Sequence, residues 1–139
     1  MREIKQLIIH CADTYPDMDI GVEDIRKWHV EGNGWDDIGY HYVVTRAGLV
    51  GKGRPDAVVG AHARGMNSNS LGICMVGGKS RDNQSTSNFT AGQWNALTDL
   101  CTNLLDQYPE AEVIGHCDVP DSGKTCPNFN VKAWWSNNV

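Results

Sequence analysis

Three residues with metal-binding side chains stand near the two ends of the chain. His10 ends an apolar run that includes Ile8-Ile9, and His116 ends a second run, 113–115, shortly before Cys126. Two imidazoles and a thiolate are ligands that Zn²⁺ takes in proteins, and three protein ligands leave its fourth tetrahedral position open. A structural zinc site would normally close with a fourth Cys or His. The residue types therefore indicate a catalytic zinc site.

The spacing of these residues also allows a second interpretation. The sequence contains no CxxC or HExxH pair, so the zinc pattern is weak when taken alone. Two separate core histidines and a buried thiol would look the same. On these residues alone, both interpretations stay open.

Length and composition limit the class of protein. A chain of 139 residues is expected to form one domain, 1–139, that buries its core without disulfides. Twelve Lys and Arg against seventeen Asp and Glu give a net charge of −5, which argues against a dedicated nucleic-acid binder. No run approaches the roughly 20 apolar residues of a membrane span, so no stable membrane association is expected.

The five cysteines and the first residues predict the compartment. Most of the cysteines stand in apolar runs at unrelated spacings, which indicates reduced thiols in a reducing compartment. The segment 1–5 has no apolar core, so no signal peptide is predicted and synthesis in a cytoplasm is expected. We interpret four thiols as small buried side chains, with strand alternation directing Cys117 away from His116. These four are Cys11, Cys74, Cys101 and Cys117.

Hydrophobic periodicity predicts an α/β domain. Strands are expected at 3–11, 40–45, 49–51, 71–76 and 112–116, and helices at about 21–31, 90–108 and 131–135. Thr90 and Gln93 predict a capping box at the start of the longest helix, and Pro109 ends that helix. In the first helix, Trp28 is expected on the apolar face of Ile25. The hairpin at 40–51 makes the central sheet mixed, with helices flanking it.

Six motifs then stand in one order along nearly the whole chain. They are His10-Cys11, IRKWH at 25–29, GWDDIGYHY at 34–42, GAHA at 60–63, NSLGI at 69–73 and KTCP at 124–127. In this order the chain resembles the zinc-dependent N-acetylmuramoyl-L-alanine amidases of bacteriophage lysozyme type, relatives of the peptidoglycan recognition proteins. One such motif would be weak evidence, whereas six in the correct order are strong.

The resemblance implies a reaction and a site in a surface cleft. The reaction is hydrolysis of the amide between N-acetylmuramic acid and the L-alanine of the stem peptide. By similarity, one zinc ion per chain is held by His10, His116 and Cys126, and Tyr40 and Lys124 are the catalytic partners. A Lys two residues before a ligand can hold a cation near a developing oxyanion, and a Tyr hydroxyl can orient water or donate a proton. The same family places His62, Arg64 and Asn67 along the substrate cleft, although a turn with satisfied side chains is an alternative for the last two.

Three functions are compatible with the resemblance. The first is a phage or prophage endolysin, made in the host cytoplasm as an expected monomer, that reaches peptidoglycan after the membrane is permeabilised. The second is a catalytically silent peptidoglycan-binding module, which the presence of Cys126 disfavours. The third is a regulatory protein that binds RNA polymerase, because some phage lysozymes of this family do so.

Overall fold

Five strands of the described part of the chain form one mixed sheet, as the sequence predicts. The computed structural model describes residues 2–137, so the ends of the predicted domain, residues 1 and 138–139, lie outside the described residues. The strands are β1 (Gln6–Cys11), β2 (Tyr42–Val44), β3 (Val50–Lys52), β4 (Ser70–Met75) and β5 (Glu112–Gly115). Their order is β3-β2-β4-β1-β5. The pair β2–β3 is antiparallel, and the other three neighbouring pairs are parallel.

Within residues 2–137, three α-helices flank this sheet. They are α1 (Val22–Lys27), α2 (Ala91–Gln107) and α3 (Val131–Ser136), and a π-helical turn, Trp28–Gly32, continues α1. The predicted capping box is confirmed, because the Gln93 N–H donates to Thr90 Oγ1 at 3.1 Å and the Thr90 N–H donates to Gln93 Oε1 at 3.0 Å. Among residues 2–137, no helix has the length and apolar character needed to cross a bilayer.

The two faces of the sheet carry different contents. The central strands β1 and β4 are almost entirely buried, because helices or loops cover a parallel sheet on both sides. One face packs Leu7, Ile9, Ile73 and Met75 against Leu97, Leu104 and Val131 of α2 and α3. Side chains alternate along a strand, so His10 points to the opposite face from Ile9, the face that α1 covers through Ile25.

Two local predictions are wrong. β5 ends at Gly115, and His116 begins a 3₁₀ turn, His116–Asp118, in which Asp118 Oδ2 accepts the Gly115 N–H at 2.9 Å. Strand alternation therefore does not orient Cys117, which is half-buried rather than a core thiol. Trp28 is 43% exposed. Three residues of an α-helix advance about 300° around its axis, so Trp28 does not point in the same direction as Ile25. Trp28 lies at the edge of the helix face whose centre is the buried Ile25.

Candidate active site

His10, His116 and Cys126 meet at one place. Parallel pairing of β1 with β5 brings the ends of the two strands side by side. The ligand atoms of the three residues all lie within 4.8 Å of one another, and the two imidazole centroids are 4.5 Å apart. The fold therefore joins side chains that the sequence separates. Parallel α/β sheets commonly place ligand sites at this carboxyl edge.

Backbone contacts fix the loop that carries Cys126. The Cys11 N–H donates to Cys126 Sγ at 3.0 Å, and the Cys117 N–H donates to the Cys126 carbonyl at 2.8 Å. The loop is thus tied both to the end of β1 and to the 3₁₀ turn. A hydrogen bond with the Cys11 thiol, together with burial, raises the pKa of Cys126. A bound cation would reverse this effect, because a coordinating thiol is deprotonated outright.

The lowered pKa values of His10 and His116 favour the neutral imidazole, which is the form that binds a metal. Burial, followed by the neighbouring His62 and His116, lowers the pKa of His10 well below 6.5. Burial and then the positive charge of Lys124 lower the pKa of His116. A metal ligand must be a neutral imidazole, and both residues are held in that form near pH 7. With one thiolate, this donor set fits Zn²⁺ with one open position.

Tyr40 lies beside the three potential ligands. Its ring centroid is 5.1 Å from that of His10. The preceding residue is Gly39, where a Cβ would approach the Ala61 carbonyl oxygen to 2.2 Å, so only glycine lets these two segments meet. The Gly39 N–H donates to His29 Nδ1 at 2.9 Å. His29 is half-buried, and its ring nitrogen anchors the segment that presents Tyr40.

Tyr40 keeps its proton. Burial is the largest cause that raises the pKa of Tyr40 well above 10.0, and the neighbouring thiols of Cys74, Cys126 and Cys11 add to it. The hydroxyl is therefore available as a hydrogen-bond donor next to the group of ligand atoms.

Two adjoining cavities give access to the site. A small cavity of about 290 Å³ is lined by His10, Tyr40 and Cys126, among others. A larger groove of about 860 Å³ runs from it past Trp35 and Arg64. Both cavities share His62, His116 and Lys124. Lys124 is exposed on the wall between them, so its ammonium group can reach a molecule lying in either cavity.

All three residues expected along the cleft line the groove, but their side chains make different contacts. Arg64 is exposed on the groove. Asn67 Oδ1 accepts the N–H groups of His62 and Ala63 at 3.0 and 2.9 Å, which shapes the turn between β3 and β4. His62 points inward, with Nδ1 2.9 Å from His10 Nε2 and Nε2 3.2 Å from Ser70 Oγ. Substrate contact by any of the three stays a prediction.

Sequence comparison decides the family. The sequence profile of N-acetylmuramoyl-L-alanine amidase matches residues 1–129. The chain belongs to that amidase family. An endolysin of Klebsiella phage KP32 is 43% identical over 137 residues, covering 99% of this chain and 89% of the relative. An endolysin of Escherichia phage T7 is 42% identical over 132 residues, covering 95% of this chain and 85% of the relative.

Structural comparison agrees with this assignment. The Ph2119 endolysin of a Thermus scotoductus bacteriophage superposes on this amidase-family chain with a TM-score of 0.82 at 28% identity. The superposition covers 99% of this chain and 86% of the other. The similarity therefore includes the sheet, the helices and the loops that form the site.

Proposed function

We propose that this chain is a zinc-dependent endolysin that hydrolyses the amide between N-acetylmuramic acid and L-alanine in peptidoglycan. The observation that carries the proposal is the meeting of His10, His116 and Cys126 in the small cavity that adjoins the larger groove. Membership of the amidase family and near full-length similarity to phage endolysins support the substrate and the reaction. A glycan strand with its stem peptide suits a groove that is open to solvent.

The side chains would hold one zinc ion per chain through two imidazole nitrogens and one thiolate. When bound, Zn²⁺ supplies positive charge that polarises a carbonyl group and makes a water molecule more acidic. The chain contributes the placement of the scissile amide, since Lys124 and Tyr40 both border the small cavity that contains the ligand atoms.

Tyr40 and Lys124 have separate tasks in this proposal. The protonated Tyr40 hydroxyl orients the attacking water or donates to the oxygen on which negative charge develops. The Lys124 ammonium stabilises that negative charge electrostatically. Neither side chain belongs to the ligand group, so both act on turnover rather than on metal binding.

Similarity to phage endolysins over nearly the whole chain supports a role in lysis of a host cell. We infer synthesis in the host cytoplasm and action on the wall after the membrane has been permeabilised. A catalytically silent wall-binding module is disfavoured because the full set of ligands, Cys126 included, is present. A monomeric state and an RNA polymerase partner stay predictions, which sedimentation and a pull-down with purified polymerase would test.

Product analysis of digested cell walls tests the reaction. Amide hydrolysis releases the amino terminus of L-alanine and creates no reducing sugar ends, whereas a glycosidase creates reducing ends. Glycoside hydrolysis usually requires a pair of carboxylates, and no such pair stands out at the motif positions of the sequence. The assay follows both products against loss of wall turbidity, with chelator-treated protein as the blank. Reducing ends that rise in step with solubilisation would contradict the proposal.

A further inference from the structure

His62 makes its closest side-chain contact with a proposed metal ligand. His62 Nδ1 and His10 Nε2 lie 2.9 Å apart, with the two rings edge to face at 86°. A contact of this length between ring nitrogens is a hydrogen bond, so one nitrogen carries the hydrogen and the other accepts it. The direction of that bond determines which nitrogen of His10 is free to bind a metal ion.

The direction follows from the places that the two rings occupy. His10 Nε2 faces His62, which leaves His10 Nδ1 as the nitrogen available to the group formed with His116 and Cys126. Nδ1 must then be unprotonated, so the hydrogen of the neutral His10 ring is on Nε2. His62 Nδ1 is therefore the acceptor, and its own hydrogen is on Nε2, 3.2 Å from Ser70 Oγ. Each nitrogen in this series of bonds has a role compatible with its neighbour.

The packing around His62 holds the ring in this position. A Cβ at Gly72 would lie 2.5 Å from His62 Cγ, so the ring rests directly on the glycine of the central strand β4. His41 packs edge to face against the same ring at 5.8 Å. Asn67 fixes the backbone of His62 from the other side through the His62 N–H. The ring is therefore built into the sheet surface, and one of its edges is committed to His10.

We propose that His62 is a positioning residue that holds His10 in the tautomer and orientation required for metal binding through Nδ1. The inference rests on the zinc site proposed above and deepens it. Metal-binding histidines commonly donate their second ring N–H to a fixed acceptor, and loss of that acceptor weakens metal binding about 10- to 100-fold. The acceptor is usually a carboxylate, a carbonyl or water. Here it is a second imidazole.

Three substitutions of His62 separate this role from others. His62→Asn places Oδ1 at the position of Nδ1 and keeps an acceptor for His10. His62→Gln places its amide near Ser70 and leaves no acceptor at that position, and His62→Ala removes both contacts. The zinc dissociation constant, measured by competition with a chromogenic chelator, is expected to rise about 10- to 100-fold for Ala and Gln. The Asn variant is expected to stay within about threefold of wild type, because the bond that orients His10 is retained.

The matched control is His29→Asn. His29 also lies close to Tyr40, at 5.6 Å between ring centroids, but its nitrogen accepts the Gly39 N–H and does not contact a ligand. Its zinc affinity should equal that of wild type. Thermal unfolding of the metal-free proteins reports the fold separately, so a loss of stability is not mistaken for a loss of metal binding. If the Ala variant fails to fold, the comparison of Asn with Gln decides.

A spectroscopic measurement tests the tautomer directly. In ¹⁵N-histidine-labelled, zinc-loaded wild type, His10 should carry its proton on Nε2, and cobalt-substituted Asn and wild-type proteins should share one visible spectrum. A proton on His10 Nδ1 would overturn the inference, as would equal zinc affinity of the Ala, Gln and wild-type proteins. A higher KM with unchanged zinc affinity would assign His62 to substrate contact instead. A wild type that binds no zinc would overturn the proposed function, and this inference with it.

Gly72→Ala tests the contact between His62 and His10 without changing either histidine. Gly72 has no positive φ, so alanine is compatible with its backbone, but the new Cβ would displace the His62 ring. Weakened zinc binding in this variant, with His62 itself unchanged, supports the inference. Gly65→Ala is not a suitable control because its φ is +87°, whereas Gly32→Ala meets no atom within 4 Å and is suitable. Equal zinc affinity of Gly72→Ala and Gly32→Ala would overturn the inference.

Discussion

The buried His41 predicts how the metal-free protein loses stability in acid. His41 Nδ1 accepts the Gly72 N–H at 3.0 Å, and its Nε2 lies 2.8 Å from the Val58 carbonyl oxygen. The neutral ring with its hydrogen on Nε2 satisfies both partners. A second proton would put Nδ1–H against the Gly72 N–H, in a site already close to the Arg2 guanidinium. The fold therefore favours the neutral form.

The loss of stability in acid can be calculated from the pKa of His41. Burial is the largest cause that lowers the pKa of His41 from 6.5 to about 4, and Arg2 also lowers it, while the Val58 carbonyl and Asp56 act in the opposite direction. Between these two pKa values the unfolded chain binds more protons, so stability rises with pH and is lost as pH falls below 6.5. Between pH 7 and pH 5, this one residue removes about 2 kcal/mol from the free energy of unfolding.

Urea unfolding of chelator-treated protein at pH 7 and pH 5 measures this loss. The other buried histidines add to the total, so the comparison is between wild type and His41→Asn, whose Oδ1 can still accept the Gly72 N–H. The variant should be less stable at pH 7 but should lose about 2 kcal/mol less than wild type on acidification. An equal loss in the two proteins would refute the reasoning about His41.

Three further predictions concern the site. Tyr40→Phe removes only one O–H, so the fold and the zinc content should be kept while kcat falls on the order of a hundredfold. Wild-type turnover with zinc bound would reassign Tyr40 to packing. Lys124→Ala should lower kcat by a similar factor and leave zinc affinity unchanged, and a change in zinc content alone would argue against the electrostatic role. Arg64→Ala, on the groove wall, should raise KM for wall fragments with little change in kcat, and kinetics identical to wild type would remove Arg64 from the substrate site.

The overall fold could be predicted from the sequence because strong local sequence patterns agree with it. Apolar β-branched runs marked β1, β4 and β5, and the Thr90 capping box with Pro109 gave the limits of α2. These signals depend on residues that are close in sequence. The local errors, at His116 and Trp28, fall where a strand or helix ends and its periodicity no longer applies.

The site was accessible only in part. The ordered motifs indicated His10, His116 and Cys126, and the structure places their ligand atoms together. The contacts that support these three residues could not be predicted from the sequence. They depend on β4 lying beside β1 and on the close approach of residues 60–62 to β4. The motif predicts His62 along the cleft, where substrate contact stays a prediction, but it gives no sign that the two ring nitrogens lie against His10 and Ser70.

Metal content measured together with wall hydrolysis tests the central claim most directly. Wild type, Cys126→Ala and the neighbouring control Cys117→Ala would be purified in parallel and analysed for zinc and for release of L-alanine amino termini. We expect one zinc per chain and full activity in wild type and in Cys117→Ala, and greatly reduced zinc and activity in Cys126→Ala. Full retention of metal and activity in Cys126→Ala would contradict the claim that His10, His116 and Cys126 form the catalytic zinc site.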